Sequence, residues 1–319
     1  MNTRLPLVST LSLLLWFCLF AHGVPAKQKQ PNTGGENGQS DISSLQLHAE
    51  QGDAKAEYRL GRSYMAGSGV LQDYKEAAKW FRQSAAQGFA DSEFSLGYLY
   101  EHGDGVRRDY RQALSYYLAA ANQGHATAEN NLASMYEHGR GVKKNLDEAR
   151  RWYLAAAEHS EVVAQCNLAS LYFRARDYSQ AAVWFRAAAQ QGDPTAQENL
   201  AWMYYTGTGI GFDYGEAAKW VRLAAEQGYV RAQLDLAYLY EQGKGISLDY
   251  TSAYMWYKMA AATGEKRAAA RLKSIEQVMT HDQIKKASAA AEQLSRSLPK
   301  SNGTSNSSPI GNSFVDKRW

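Results

Sequence analysis

Apolar residues recur along this chain at a spacing of 36 residues, with a single interval of 32. Within each interval they fall three and four positions apart, which is the spacing of one face of a helix. Polar stretches that contain glycine interrupt this pattern, so each interval predicts two helices joined by a loop. The recurring leucines are Leu60, Leu96, Leu132, Leu168, Leu200, Leu236 and Leu272.

The second helix of each interval has a clear start and a clear apolar face. It starts at an Asp or Asn, which in all but the sixth repeat is followed three residues later by Glu or Gln, as in Asp73 and Glu76. This spacing predicts a capping box, in which each side chain bonds the backbone N–H of the other residue. The apolar face then carries alanines around one large aromatic residue. We expect the core aromatics to be Trp80 or Phe81, Tyr116, Trp152, Trp184 and Trp220.

A face of this kind cannot be buried by one helix pair alone. Stacked pairs bury it continuously, and a fixed period of this length is typical of a solenoid. The sequence therefore predicts an all-α fold, an α/α solenoid in which each repeat covers its neighbour.

The consensus of the intervals identifies a family resemblance. It reads A-x-x-x-L-G-x-x-Y-x-x-G-x-G-V-x-x-D-x-x-x-A-x-x-W-[FY]-x-x-A-A-x-x-G, and every interval except the fourth approximates it. This motif resembles the Sel1-like repeat, a relative of the tetratricopeptide repeat, over roughly residues 43–298. The resemblance implies a right-handed superhelix of helix pairs. It also implies a scaffold for protein–protein contacts, often in secreted or periplasmic bacterial proteins.

Both ends of the chain differ in composition from the repeats. Arg4 precedes an apolar run at residues 5–20 and then small residues, which predicts a signal peptide over residues 1–26. The alternative is an uncleaved membrane anchor. Residues 27–41 are predicted to be a disordered linker and residues 299–319 a disordered tail. The solenoid is predicted over residues 42–298, with six full repeats over about 53–265 and a helical cap over 266–298.

The fourth repeat departs from the consensus. Between its helices, residues 172–177 read YFRARD, which is four residues shorter than in the other repeats and lacks the Gly-x-Gly. Ser160 also stands where the other junctions have glycine. We therefore expect a bend or a seam between subdomains near residues 160–177.

A partner-binding surface is expected on the first helix of each pair. In tetratricopeptide-type stacks these helices line the concave groove, and the resemblance carries that role to positions that vary between repeats. Aromatic, amide and charged groups at these positions, the carboxylates Glu101, Glu137 and Glu241 among them, suit a peptide or a partner's helix. The alternative is that the aromatics pack between repeats. The predicted contact residues are Tyr58, Arg62, Phe94, Tyr98, Asn130, Asn131, Asn167, Phe173, Arg174, Asn199, Trp202, Tyr205, Asp235 and Tyr238.

Charge, histidines and cysteines narrow the classes of function. The formal net charge of +3 gives no strong positive field that would attract nucleic acid, and the basic runs VRRDYR and GVKK are too short to bind it by themselves.

His102 and His138 are equivalent residues about 10 Å apart, too far for both to bind one zinc ion. Cys166 is the one cysteine outside the predicted signal peptide, so an intramolecular disulfide is not expected. No metal and no cofactor are predicted.

The sequence thus favours a non-enzymatic scaffold that is exported to the periplasm or secreted and binds a partner protein or peptide in its groove. After cleavage of the signal peptide no stable membrane span is expected, whereas an uncleaved chain would be membrane-anchored. One alternative is a β-lactamase-like or penicillin-binding repeat protein, but those relatives carry paired cysteines that this chain lacks. Another is a glycan- or peptidoglycan-binding module that uses Trp202 and Tyr205 as stacking faces.

Overall fold

The computed structural model describes the backbone of residues 36–298 and the side chains from residue 42 onward. The predicted signal peptide, most of the predicted linker and the predicted tail lie outside the described residues. The first helix begins at Glu36, so residues 36–41 are helical where the sequence predicted the end of a disordered linker.

The described part of the chain is built from helices and contains no strand. Twelve of the helices form six successive pairs, one long first element precedes them, and two helices follow them. Their bounds are α1 Glu36–Glu50, α2 Ala54–Ala66, α3 Tyr74–Ala86, α4 Ala90–His102, α5 Tyr110–Asn122, α6 Ala126–His138, α7 Leu146–Glu158, α8 Val162–Arg174, α9 Tyr178–Gln190, α10 Pro194–Thr206, α11 Tyr214–Glu226, α12 Val230–Gln242, α13 Tyr250–Ala262, α14 Lys266–Ile275 and α15 His281–Ser297.

From α1 to α14, each helix packs most closely against a neighbour in sequence. The pairs α2–α3, α4–α5, α6–α7, α8–α9, α10–α11 and α12–α13 are the six repeats, and the second helix of each contacts the first helix of the next. At the carboxyl end α14 and α15 both pack on α13. The prediction of an all-α solenoid is confirmed.

Half of each predicted capping box is present. The Asp73 carboxylate accepts hydrogen bonds from the N–H groups of Lys75 at 2.8 Å and Glu76 at 3.2 Å, which satisfies two donors of the first turn. The return bond was wrongly predicted, because the Glu76 carboxylate accepts instead from Lys79 at 3.2 Å. Among the described helices, the reciprocal bond is formed at the start of α15 by Thr280 and Gln283.

The central core side chain of each repeat lies one position later than most of the predicted aromatics. Trp184 and Trp220 are only half-buried, whereas the residues that follow them are fully buried. In the first repeat Phe81 faces Gly61, where an added Cβ would lie 2.7 Å from the ring. A Cβ at Gly61 would therefore force this ring to move, whereas the third to sixth repeats have alanine at the same position. The six core side chains are Phe81, Tyr117, Tyr153, Phe185, Val221 and Tyr257.

Loops between paired helices also connect neighbouring repeats. A Cβ at Gly141, in the loop of the third repeat, would overlap the Tyr110 carbonyl at the start of α5. Gly105, Gly209 and Gly245 are equally close to the first residue of the second helix one repeat earlier. In the fourth repeat α8 and α9 are joined by three residues, and no Gly-x-Gly loop is present.

Candidate partner-binding surface

The first helices of neighbouring repeats contact each other through residues that the sequence assigned to the groove. The Asn167 side chain donates to the Asn130 side-chain oxygen at 3.0 Å, from α8 to α6. Phe173 on α8 meets Trp202 on α10 edge to face, with ring centroids 5.8 Å apart. The first helices α2, α4, α6, α8, α10 and α12 therefore form a continuous surface, which we call the first-helix surface.

The amino-terminal part of the first-helix surface presents aromatic side chains that are half-buried. Tyr58 lies 5.3 Å from Phe89 between ring centroids, and the exposed Arg62 guanidinium lies 5.8 Å from the Tyr58 ring. Phe94 stacks on the His125 ring at 4.6 Å. These contacts hold the rings in place while part of each remains accessible.

Tyr98 belongs to the same accessible set. Its ring stacks on His102 at 4.1 Å, and the His102 Nδ1 lies 2.9 Å from the Tyr98 carbonyl oxygen. This histidine is therefore used in local packing on α4. Burial raises the pKa of the Tyr98 hydroxyl, with a further contribution from Asp104, so the phenol stays neutral and can donate a hydrogen bond.

The middle of the surface is polar. The Asn130 amide donates to the Asn131 oxygen at 3.3 Å, so Asn131, Asn130 and Asn167 form a chain of amides across two repeats. Asn131 and Asn167 are half-buried, whereas Asn130 is buried. Arg174 is exposed and its guanidinium contacts Glu137.

The carboxyl-terminal part is more closed than the sequence suggested. Asn199 and Asp235 are each 1% exposed, Tyr205 is 3% exposed and Tyr238 is 8% exposed. Lys244 covers this part, since its Nζ donates to the Tyr205 hydroxyl at 3.0 Å and lies 5.7 Å from the Tyr238 ring. Together with Asn130, these four predicted contact residues are packed between repeats. Trp202 and Phe173 remain half-buried beside them.

The carboxylates predicted for the groove are engaged inside the solenoid. Glu101 accepts a hydrogen bond from the core residue Tyr117 at 2.8 Å and pairs with Arg140 of the next repeat at 2.8 Å. Glu241 does the same with Tyr257 at 2.6 Å and with Arg271 at 3.2 Å. The third set is Glu137, Tyr153 and Arg174.

Sequence reasoning missed this arrangement, although the repeats contain a signal for it. In the three repeats whose first helix has glutamate five residues after the recurring leucine, the central core residue of the second helix is tyrosine. In the other three repeats this core residue has no hydroxyl. The remaining pairs are Met65 with Phe81, Phe173 with Phe185, and Tyr205 with Val221. Aligning the six repeats position by position would have shown that these carboxylates belong to the core.

One buried carboxyl group lies beneath the carboxyl-terminal part of the surface. Glu198 is 1% exposed, and its Oε1 lies 2.5 Å from Nε of Arg231 on the next first helix. Burial raises the pKa of Glu198 to about 8, against the opposing effect of Arg231, while the neighbouring Asp235 raises it further. This carboxyl is therefore largely protonated near neutral pH.

The described residues contain no group of three or more His, Cys, Asp or Glu side chains placed to hold a metal ion. Cys166 is buried on α8 at 1% exposure. None of the helices between residues 36 and 298 is both long and apolar enough to cross a membrane.

Comparison with known proteins identifies the repeats. The Sel1 repeat model matches residues 54–89, 90–125, 126–160, 162–193, 194–229 and 230–264. Among solved structures, a protective antigen of uropathogenic Escherichia coli strains with an SLR fold is 34% identical, with a TM-score of 0.73 over 82% of this chain and 57% of that protein. A Sel1 repeat protein from Oxalobacter formigenes is 31% identical, with a TM-score of 0.61 over 70% of this chain and 91% of that protein. Among curated proteins, none matches.

Proposed function

Because the chain belongs to the Sel1 repeat family, whose members are generally protein-interaction scaffolds, we propose that it is an exported, non-enzymatic adapter. In this proposal a partner protein or peptide binds along the first-helix surface. The first of the two related structures is considerably longer than this chain, which spans 57% of its length.

The observation that supports the proposal is the contrast between constant and variable positions of the first helices. The recurring leucine is fully buried in the six repeats, as the fold requires. Two positions later the six repeats have four different residue types, and the side chain is exposed or half-buried except in the sixth repeat. These residues are Arg62, Tyr98, Ser134, Ser170, Trp202 and Tyr238. Packing alone does not require such different side chains at one structural position.

The accessible groups indicate the chemistry of the partner. Tyr98, Phe173 and Trp202 offer aromatic faces for apolar side chains, which commonly anchor protein interfaces. Asn131 and Asn167 offer amides that can bond the backbone of an extended or helical segment. The predicted set also contains five buried residues that a partner could not reach: Asn130, Asn199, Tyr205, Asp235 and Tyr238.

Site-specific photo-crosslinking tests this surface in cells that produce the protein. A photoreactive residue replaces Tyr98 or Ser170 on the first helices, and Val183 or Lys79 on the second helices serves as the control. Val183 is 51% exposed on α9, so its accessibility is not limiting. We expect one crosslinked partner from the first-helix positions, lost when Trp202→Ala is added. Equal crosslinking from Val183 and Lys79 would contradict the assignment.

Export rests on the composition of residues 1–26 and has its own test. The intact mass of the protein recovered from the producing cells should correspond to a chain that begins after Gly23 or Ala26. A full-length chain in the membrane fraction would indicate an anchor instead.

A further inference from the structure

Two short basic runs, 36 residues apart in sequence, meet at one edge of the solenoid. They lie in and just after the loops of the second and third repeats. Their exposed cations, which we call the basic loop edge, are Arg107, Arg108, Arg111, Lys143 and Lys144. The loop of the third repeat lies against the start of α5, because Gly141 packs on the Tyr110 carbonyl between Arg108 and Arg111. Neither run is long enough to be a binding site alone, but the structure joins them.

The charges of the basic loop edge are not neutralised by the solenoid. No ion pair joins any of these five side chains to another described residue. The neighbouring carboxylates are used elsewhere: Asp109 accepts from two N–H groups of α5, Asp147 contacts Arg150, and Glu148 lies 3.5 Å from Arg151. Asp104 adds one opposing charge.

The fold does not require these charges. The loops of the first, fifth and sixth repeats have uncharged residues at the two positions that Arg107 and Arg108 occupy in the second repeat. These residues are Leu71, Gln72, Gly211, Phe212, Ser247 and Leu248. In the loops with charged residues and in those with uncharged residues, the Cβ atom of the side chain makes the packing contact. A Cβ at Gly103 would lie 3.1 Å from Cβ of Arg108, and one at Gly243 would lie 3.2 Å from Cβ of Leu248. The Arg108 guanidinium lies 5.7 Å from the Tyr110 ring at the start of α5, and no ion pair with a described residue occupies it or the other cations of this edge. These charged groups can therefore pair with carboxylates of another molecule.

An uncovered apolar residue adjoins the basic loop edge. In the first, second, fourth and fifth repeats the second helix begins with a tyrosine that is covered by the loop of the next repeat. The third repeat has Leu146 there, and the short connection of the fourth repeat provides no covering loop. Leu146 is consequently 47% exposed, two residues after Lys144.

We propose that the basic loop edge binds an acidic segment of a partner protein, with one apolar side chain of that segment packed on Leu146. The segment occupies the space that a Gly-x-Gly loop fills in the other repeats. This surface lies on the inter-helix loops and is separate from the first-helix surface. A polypeptide fits better than a nucleic acid, since a phosphate backbone carries charge but no aliphatic side chain for Leu146. A membrane surface fits less well because a single apolar residue adjoins the cations.

Fluorescence polarisation with the full chain tests the proposal. The probe is a labelled peptide of glutamate and glycine with one central leucine, and a second peptide has glycine in place of the leucine. The test variant combines Arg107→Gln, Arg108→Gln, Lys143→Gln and Lys144→Gln. The matched control combines Lys266→Gln, Lys273→Gln, Lys285→Gln and Lys286→Gln, which removes the same charge from exposed positions of the cap. Thermal melts of both variants check that each one is folded before binding is compared.

We expect the test variant to bind the leucine peptide roughly tenfold more weakly than wild type at low salt, as four exposed ion pairs of modest strength are lost. The control variant should bind as wild type does. Leu146→Ser should weaken binding of the leucine peptide but not of the glycine peptide. The proposal is overturned if wild type fails to bind the leucine peptide, if the control loses as much affinity as the test variant, or if single-stranded DNA or phosphatidylserine vesicles bind more tightly than the peptide.

Discussion

At the scale of single residues, backbone conformation explains most of the glycines between repeats. The second helix of a repeat ends two residues before a position with positive φ, and glycine is the one residue that adopts this conformation without strain. Gly124 and Gly192 have φ values of +78° and +94° there. Ser160 takes the same place after α7 with a φ of +62°, and Arg176 has +65° between α8 and α9. The fourth repeat thus has a strained residue on either side of its first helix.

Replacing Ser160 with glycine should stabilise the protein. We expect Ser160→Gly to raise the free energy of unfolding by about 1 kcal/mol, because the Cβ strain in the left-handed region is removed. Gly192→Ser is the reciprocal control, since a Cβ at Gly192 meets no atom within 4 Å and changes only the backbone preference. It should lower stability by a similar amount. Urea denaturation measures both, and a loss of stability in Ser160→Gly would refute the interpretation.

The buried Glu198 predicts a dependence of stability on pH. Its pKa rises from an ordinary value of 4.5 to about 8 in the folded chain, so between these values the folded chain retains a proton that the unfolded chain has lost. Stability contributed by this group is therefore full below pH 4.5 and falls as pH rises toward 8. The urea midpoint of wild type should fall more over this window than that of Glu198→Gln. Parallel pH profiles of the two proteins would show that Glu198 is ionised in the fold.

At the scale of helices, each repeat is held together by a pair of residues that must match. A glutamate on the first helix needs the hydroxyl of a tyrosine on the second, because a buried carboxylate without a donor is costly. Glu137 is 7% exposed and accepts from the Tyr153 hydroxyl at 2.8 Å. Burial and this carboxylate raise the pKa of Tyr153, which keeps the phenol protonated as the donor. The first repeat replaces the pair by Met65 and Phe81, which need no hydrogen bond.

Exchanging both members of a pair should cost less than the two single changes predict. Glu137→Met leaves the Tyr153 hydroxyl without its acceptor, and Tyr153→Phe leaves Glu137 without its buried donor; each should cost about 1–3 kcal/mol. The double variant reproduces the chemistry of the first repeat, so we expect a coupling of about 1 kcal/mol or more in a double-mutant cycle. The control cycle uses Glu76 and Lys79, whose side chains are 42% and 56% exposed. Its coupling should stay below about 0.5 kcal/mol, and equal couplings in both cycles would contradict the matching rule.

At the scale of the solenoid, stability depends on covering the last repeat. Both α14 and α15 pack on α13, where Tyr254 is only 6% exposed. The Tyr254 hydroxyl also donates to Glu276, next to α14, at 3.0 Å. The two closing helices therefore cover the apolar face of the sixth repeat, just as each repeat covers the face of the repeat before it.

Removing the cap should destabilise the array from its carboxyl end. A chain that stops at residue 265 lacks both helices that pack on α13, and each large side chain that they cover, Tyr254 among them, loses about 2 kcal/mol of burial. We expect a lower urea midpoint and self-association at high concentration on size-exclusion chromatography. A chain that stops at residue 298 is the control and should resemble the full protein. Unchanged stability of the shorter chain would show that the sixth repeat is covered without α14 and α15.

The sequence by itself determined the repeat, the helix pairs and the family, because these depend on spacings of three and four residues and on local capping that acts within one turn. It placed Trp184 and Trp220 in the core, an error of one position, because one residue turns a helix face by about 100° and only packing decides which of two adjacent large residues points inward. The tertiary structure also decided which predicted contact residues stay accessible. Tyr98 and Trp202 do, whereas Asn199, Tyr205, Asp235 and Tyr238 are buried. It also placed the loop that carries Lys143 and Lys144 against the start of α5, next to Arg111, because the proximity of two loops follows from how the repeats stack.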